Sequence, residues 1–215
     1  MSFLLHIDSS IKPEGSVSKE LTAHFAGRWR ANNPDGRYLH RDFSVDPLPH
    51  LTHEVREHLI DPQGGEHGTT EQQRALCAEL LAEVREASTI LIGAPMYNYS
   101  IASTLKAWLD VVVHPSHMLP PGQSGLLSGK PVVVVTARGG SYAPGTPREG
   151  FDYQEPYLKA ILGSIGLTDN LTFLNAEMTL SYVAPPLAQF RHIADETKAK
   201  ALETLEKLAT ASPVG

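Results

Sequence analysis

PVVVVTA, from Pro131 to Ala137, is the stretch that decides the fold. Four valines follow one another with no polar residue between them, so a strand here must be buried on both faces. Burial on both faces is typical of parallel sheets covered by helices, whereas a strand with one solvated face alternates apolar and polar residues. The stretch therefore predicts a central strand of a parallel sheet.

Further apolar runs lie on both sides of this strand, separated by segments with helical periodicity. The predicted strands are FLLHID (3–8), the weaker RYLHRDF (37–43), TILIGA (89–94), PVVVVTA (131–137) and LTFLNAE (171–177). The predicted helices cover 16–33, 70–87, 101–113, 153–167 and 188–208. This alternation predicts an α/β fold, a doubly wound five-stranded parallel sheet with helices on both faces, in a single domain spanning 1–215.

Composition narrows the class of partner. The chain has 18 Lys and Arg against 24 Asp and Glu, a net charge of -6, and no basic run that could follow a phosphate backbone. No window approaches the roughly 18 apolar residues of a membrane-spanning helix. The single cysteine, Cys77, lies in a helical pattern among leucines. We expect a cytoplasmic protein that binds neither nucleic acid nor membrane, with Cys77 a packing residue.

Ligands of doubly wound sheets bind outside the carboxyl ends of the strands, so functional residues should follow strands one, three and four. SSIKPEGSVS (9–18) follows strand one and brings hydroxyls to the start of a helix, where free backbone N–H groups attract a phosphate monoester. The alternative is that Ser16 is simply a helix N-cap. Because neither G-x-x-x-x-G-K-[ST] nor G-x-G-x-x-G occurs, a nucleoside triphosphatase and an ordinary dinucleotide crossover are disfavoured.

The loops after strands three and four offer different chemistry. GAPMYNYS (93–100) presents apolar, aromatic and amide groups that suit a flat ring, although core packing is the ordinary alternative. ARGGSY (137–142) has paired glycines that allow close approach of the backbone to a ligand, beside a fixed positive charge. Its alternative is a glycine turn with a solvated arginine.

Motifs for metal binding and hydrolysis fail on geometry. The histidines of HEVREH (53–58) are five residues apart, which places them on different sides of a helix. HPSH (114–117) is interrupted by Pro115, so we expect a surface loop there. GQSGL (122–126) is not a G-x-S-x-G nucleophile elbow. We therefore predict no metal site.

Four segments together carry a family resemblance over nearly the whole chain. SSIKPEGSVS, APMYNYSIASTLKAWLD, ARGG and EPYLKAILGSIGLTD resemble the FMN-dependent NADH azoreductases, also quinone reductases, of the flavodoxin-like superfamily. The resemblance implies a flavodoxin-like sheet, one FMN per chain and a homodimer with active sites at the subunit interface. It implies that the phosphate is held by Ser10, Ser16, Val17 and Ser18, that the isoalloxazine is flanked by Met96, Tyr97, Asn98 and Tyr99, and that its other edge is closed by Ala137, Arg138, Gly139 and Gly140. Tyr142 and Phe151 are candidates for the wall of the substrate pocket.

The chain departs from the family pattern at two places. The segment 114–128 is shorter than is usual in the family and lacks the aromatic residues that help to cover the flavin, which affects the substrate pocket. Ala137 stands where the family often has serine or threonine, so one hydroxyl contact is missing.

The expected function is an enzyme in which bound FMN carries electrons from NADH or NADPH to a quinone or an aromatic azo compound, in two separate half-reactions. No residue is assigned as catalytic acid or base. One alternative is a flavin-binding electron carrier that serves a protein partner, and a weaker one is a partner-binding fold that has lost its flavin.

Overall fold

The computed structural model describes residues 2–61, 63–65, 67–114, 117 and 127–210. Five parallel strands form one sheet in the order β2-β1-β3-β4-β5. They are β1 (Phe3–Asp8), β2 (Arg37–Asp42), β3 (Thr89–Pro95), β4 (Pro131–Ala137) and β5 (Asn170–Ala176). The predicted five-stranded parallel sheet is confirmed, and its strand order reverses between β1 and β3, where such sheets bind ligands.

Helices connect successive strands. They are α1 (Val17–Asn32), α2 (His53–Ile60), α3 (Glu71–Glu86), α4 (Ser103–Val112), α5 (Gln154–Gly163) and α6 (Arg191–Thr210), with 3₁₀ turns at Thr179–Tyr182 and Pro185–Phe190. The sequence pattern predicts neither α2 nor the 3₁₀ turns, because all three are too short to develop a repeating apolar pattern. Thr52 caps α2 by accepting a hydrogen bond from the backbone N–H of Val55.

Two apolar clusters cover the sheet, one on each face. On one face Ile92 and Val134 pack with the fully buried Trp108 of α4. On the other face Val133 packs with Phe25 of α1 and residues of α6. Every residue of β3 is buried, as an interior strand between two helical layers requires. The doubly wound arrangement is therefore confirmed.

Two isolated predictions have different outcomes. Cys77 is buried in α3, and burial raises the pKa of its thiol, which agrees with a packing role. His117 is also buried, with Nδ1 3.0 Å from the carbonyl oxygen of Val112, so the prediction of a surface loop at HPSH is wrong at this residue. Within the described ranges no helix is long and apolar enough to cross a membrane.

Candidate functional site

A cavity of about 360 Å³ opens where β1, β3 and β4 end. Its wall contains residues from all three loops that the sequence analysis selects. Those predicted residues are Ser10, Ser16, Val17, Met96, Tyr97, Asn98, Ala137 and Gly139. The cavity lies beside the reversal of strand order, so the fold brings distant parts of the chain to the position where a ligand is expected.

One end of the cavity is built from the start of α1. Ser16 is the N-cap of this helix, with its hydroxyl 3.5 Å from the backbone nitrogen of Lys19. The first N–H groups of a helix have no partner within it and carry partial positive charge, which favours an anion. Lys12, which the sequence analysis does not select, is the only charged side chain among the described residues that line the cavity. This end is therefore suited to a negatively charged group.

Ser18 does not line the cavity. It is fully buried in the first turn of α1, and its hydroxyl oxygen lies 3.2 Å from that of Ser16. The contact fixes the Ser16 side chain at the mouth of the helix, so Ser18 acts on the cavity through its neighbour.

Tyr97 connects two of the loops. Its phenolic oxygen accepts a hydrogen bond from the backbone N–H of Ile11 at 3.2 Å and lies 3.4 Å from the hydroxyl oxygen of Ser10. The loop after β3 is thereby fastened to the loop after β1. Met96 is held in turn by its backbone N–H, which donates to the carbonyl of Ala137 at 2.9 Å.

The chain reverses after Tyr97 in a tight turn. Tyr97 and Ser100 exchange backbone hydrogen bonds of 2.9 and 3.0 Å, and the two residues between them have positive φ, 49° at Asn98 and 70° at Tyr99. Positive φ at both central positions is the signature of a type I′ turn, and it is unfavourable for tyrosine. The turn directs Asn98 to the cavity wall and leaves Tyr99 outside it.

Tyr99 belongs to an aromatic cluster beside the cavity. Its ring centroid lies 6.3 Å from that of Tyr142 and 5.7 Å from that of Phe151. Tyr99 and Phe151 remain 43% and 48% exposed. Tyr142 and Phe151, which are predicted for the pocket wall, therefore lie outside the described cavity wall. They contact Tyr99 in the turn of PMYNY (95–99), which is called the PMYNY turn below.

The residues after β4 alternate in direction, as an extended chain does. Ala137 and Gly139 line the cavity, whereas Arg138 and Gly140 do not. A Cβ on Gly139 would lie 2.7 Å from Cδ1 of Leu180, so a side chain at this position would disturb the wall.

Arg138 is 3% exposed and its guanidinium group is enclosed by carboxylates instead of lining the cavity. Its Nη1 lies 2.9 Å from Asp152 and 3.8 Å from Glu177, and its Nη2 lies 3.5 Å from Glu155. Burial raises the pKa of Glu155, but hydrogen bonds from Lys159 and Asn175 and the charge of Arg138 outweigh it and hold this pKa below its ordinary value. Arg138 thus anchors the loop that follows it.

A further part of the wall comes from the segment after β5, which the sequence analysis misses. It contributes Thr179, Leu180, Tyr182 and Val183. The segment is pinned to the loop after β4 by the backbone N–H of Thr179, which donates to the carbonyl of Arg138 at 2.9 Å. Its position directly after the fifth predicted strand could have indicated this part of the wall, since all strands of a parallel sheet end at the same edge.

Tyr182 belongs to this wall, and its hydroxyl donates a hydrogen bond to Asp195 of α6. Partial burial, together with a hydrogen bond to Asp195 at 2.9 Å, raises the pKa of Tyr182 to about 12. The group therefore stays protonated throughout the physiological range.

The shortened segment 114–128 lies mostly outside the described residues. Its predicted effect on the substrate pocket therefore stays a prediction.

Comparison with known proteins identifies the family. A family model described as a flavodoxin-like fold matches residues 2–205. The FMN-dependent NADH:quinone oxidoreductase of Parafrankia sp. (strain EAN1pec) is 43% identical over 214 residues, which cover 98% of this chain and 100% of that protein. The chain belongs to the FMN-dependent NADH:quinone oxidoreductase family.

Other members and solved structures agree with this membership. The FMN-dependent NADH:quinone oxidoreductase of Streptomyces coelicolor (strain ATCC BAA-471 / A3(2) / M145) is 41% identical over 206 residues, covering 94% of this chain and 90% of that protein. An azoreductase structure from Bacillus anthracis str. Sterne covers 98% of this chain and 99% of its own, with a TM-score of 0.80 and 23% identity. The likeness in structure supports the flavodoxin-like fold of the quinone oxidoreductase family, and the resemblance drawn from the motifs is confirmed.

Proposed function

We propose that the protein is an FMN-dependent NADH:quinone oxidoreductase and that FMN binds in the cavity at the ends of β1, β3 and β4. The observation that carries this proposal is that one cavity combines the start of α1 and the charge of Lys12 with the apolar side chains of Met96, Leu180 and Val183. Family membership supports the same activity. The domain that binds FMN would be the whole chain, 1–215.

The residues fit the phosphate of FMN at the start of α1. The hydroxyls of Ser10 and Ser16 and the backbone N–H of Val17 would donate hydrogen bonds to the phosphate, and Lys12 would supply positive charge. Gly15 has a φ of 68°, and no atom of the described residues lies within 4 Å of the place where a Cβ would lie, which leaves the backbone open to a ligand. This arrangement needs no phosphate-binding motif of the nucleotide-triphosphate type, since the phosphate is held and not transferred.

The residues also fit the ring system at the opposite end. Pro95, Met96, Leu180 and Val183 offer apolar surface, and Asn98 adds an amide that can reach polar ring atoms. Gly139 permits close approach of the backbone between them. The PMYNY turn would thus flank one side of the ring and the loop after β4 the other.

The chemistry that bound FMN would supply is the transfer of two electrons, taken from NADH as hydride and given to a quinone, which with the hydrogen of that hydride and one further proton from solvent becomes the hydroquinone. The protein would orient the donor and the acceptor in turn over the same apolar surface, so the exchange is of the ping-pong type. Tyr182 would keep an uncharged side chain in the wall, because its pKa lies far above neutrality and its hydroxyl donates to Asp195. We assign no residue as acid or base.

Aromatic azo compounds would be further acceptors, since they are flat and conjugated like quinones. Cleavage of an azo bond to two amines needs four electrons, hence two turns of the cycle. The aromatic cluster of Tyr99, Tyr142 and Phe151 would form the outer wall of this acceptor site.

The active form would be a homodimer with the cavity at the interface. Large apolar side chains around the cavity are exposed in the single chain, among them Val183 at 72%, Tyr153 at 57% and Phe151 at 48%. Apolar surface of this kind beside a cavity suits burial by a second copy. The one buried cysteine, Cys77, agrees with a reducing compartment such as the cytoplasm.

Steady-state oxidation of NADH with a simple quinone, without any second protein, tests the proposal. If the protein is the proposed enzyme, NADH oxidation should continue over many turnovers and should depend on added FMN. A flavin-binding electron carrier would instead hold FMN and give no sustained turnover, and a fold that has lost its flavin would bind no FMN. Analytical ultracentrifugation tests the proposed dimer. The molecular mass in solution should be twice the 23.4 kDa of one chain.

A further inference from the structure

A cluster of metal-binding side chains lies outside the cavity, on the face of the sheet that α1 covers. His6 and Asp8 come from β1, and His40 comes from the edge strand β2, in register with His6. Nε2 of His6 and Nε2 of His40 lie 3.2 and 2.9 Å from the same oxygen of Asp8. The potential ligand atoms of the three side chains all lie within 4.8 Å of one another.

Contacts around the cluster orient these side chains. The hydroxyl of Tyr38 lies 3.0 Å from Nδ1 of His6, and the hydroxyl of Thr22 lies 2.9 Å from the second oxygen of Asp8. Partners of this kind fix the ring and the carboxylate of metal ligands in known sites and leave the remaining nitrogen or oxygen to the ion.

His6 provides an independent indication that something is missing from the cluster. Its side chain is buried, and its Nε2 makes no hydrogen bond to any described atom, although an oxygen of Asp8 lies 3.2 Å away. A buried ring nitrogen without a partner is unfavourable and calls for an explanation.

We propose that His6, Asp8 and His40 bind one divalent transition-metal ion of the zinc type, with water as the fourth ligand. Zinc lies about 2.0–2.1 Å from such ligands, which places tetrahedral ligand atoms about 3.3 Å apart. The observed separations of 2.9 and 3.2 Å need only a small expansion to reach that value. Two imidazoles and one carboxylate favour zinc over magnesium or calcium.

The position of the cluster determines what the ion would do. The side chain of His40 is 36% exposed, so an ion and its water can enter from solvent. None of the three residues lines the cavity, hence the role would be structural. The ion would tie the edge strand β2 to the end of β1, immediately before Ser9 and Ser10. Local histidine spacing does not reveal this site, because β1 and β2 are separated by the whole of α1.

Titration of the full-length, FMN-loaded protein with Zn²⁺, after chelator treatment and desalting, tests this proposal. We expect one Zn²⁺ per chain by calorimetry. Co²⁺ should give the intense visible bands of tetrahedral coordination. His40→Ala should weaken Zn²⁺ binding at least about 100-fold, the upper end of the loss caused by removing an outer-shell partner. The matched control is His24→Ala on α1, whose histidine contacts Glu206 and should leave binding unchanged.

Tyr38→Phe provides a second variant that keeps all three ligands. Removal of its hydroxyl releases Nδ1 of His6, and Zn²⁺ binding should weaken about 10–100-fold. This variant decides the question if His40→Ala does not fold. Absence of Zn²⁺ uptake would overturn the proposal. Uptake that both variants leave unchanged would also overturn it, because the ion would then be bound by other residues. Neither result bears on NADH:quinone turnover, which is measured separately.

Discussion

The phenolic oxygen of Tyr97 lies 3.2 Å from the backbone nitrogen of Ile11 and joins the loop after β3 to the loop after β1. These loops would hold opposite ends of FMN, the ring and the phosphate. Together with its contact to the hydroxyl of Ser10, this hydrogen bond helps to fix the distance between the two halves of the proposed site.

Tyr97→Phe removes this bond while keeping the aromatic ring. We expect the dissociation constant of FMN to rise about 3–10-fold, the equivalent of one neutral hydrogen bond of about 1 kcal/mol. Quenching of flavin fluorescence measures it. Tyr157→Phe is the control, since Tyr157 lies on α5, packs against the apolar core and does not line the cavity. Equal affinity of both variants would remove Tyr97 from the site.

Gly139→Ala places a methyl group against Leu180 in the cavity wall. Because a Cβ there would lie 2.7 Å from Cδ1 of Leu180, the side chain must move, and we expect FMN affinity to fall about 10-fold or more. Gly27→Ala is the matched control. A Cβ on Gly27 in α1 meets nothing within 4 Å, and alanine should stabilise this helix by about 1 kcal/mol. If Gly139→Ala bound FMN normally, the proposed ring position would be wrong.

Arg138→Met tests the anchor of the loop after β4. Removing the guanidinium leaves Asp152, Glu155 and Glu177 without their buried cation, and we expect a loss of about 3–5 kcal/mol in the free energy of unfolding, measured with urea. Arg28→Met is the comparison, because the Arg28–Glu206 pair is exposed to solvent and its loss should change the free energy of unfolding far less. Similar losses for both variants would contradict the structural role of Arg138.

The pKa of Glu155 predicts a pH dependence of stability. Burial alone would raise this pKa, but Lys159, Asn175 and Arg138 outweigh it, so the pKa in the folded chain lies below the ordinary value of 4.5. A lowered pKa contributes stability that is present above pH 4.5 and lost as the pH falls through the folded-state value. The melting temperature of Glu155→Gln should therefore fall furthest below that of the natural chain near pH 7. The gap should narrow below pH 4.5. A difference in melting temperature that widens in acid would contradict a lowered pKa of Glu155 in the folded chain.

The sequence predicts those parts of the molecule that depend on burial and chain order. PVVVVTA predicts a strand covered on both faces. The alternation of strands and helices predicts a parallel sheet, and with it the edge of that sheet where the loops after the strands meet. Side-chain direction is harder to predict. Arg138 follows a strand as Gly139 does, yet its guanidinium lies among carboxylates because adjacent residues of an extended chain point opposite ways.

Contacts between distant segments are the other part that the sequence does not reveal. Leu180 and Val183 enter the cavity wall only because β5 pairs with β4 and ends at the same edge. His6 and His40 meet only through the register of β1 and β2. Neither relationship leaves a local motif, whereas the helix start at Ser16 does.

The most direct test of the account is the visible absorption spectrum of the protein after incubation with FMN and passage through a desalting column, followed by NADH without oxygen and then a quinone. We predict retained yellow flavin that bleaches with NADH and regains its colour with the quinone. Flavin that elutes with the protein but is not bleached by NADH would contradict the assignment as an NADH:quinone oxidoreductase, and failure to retain or titrate FMN would contradict the proposed cavity.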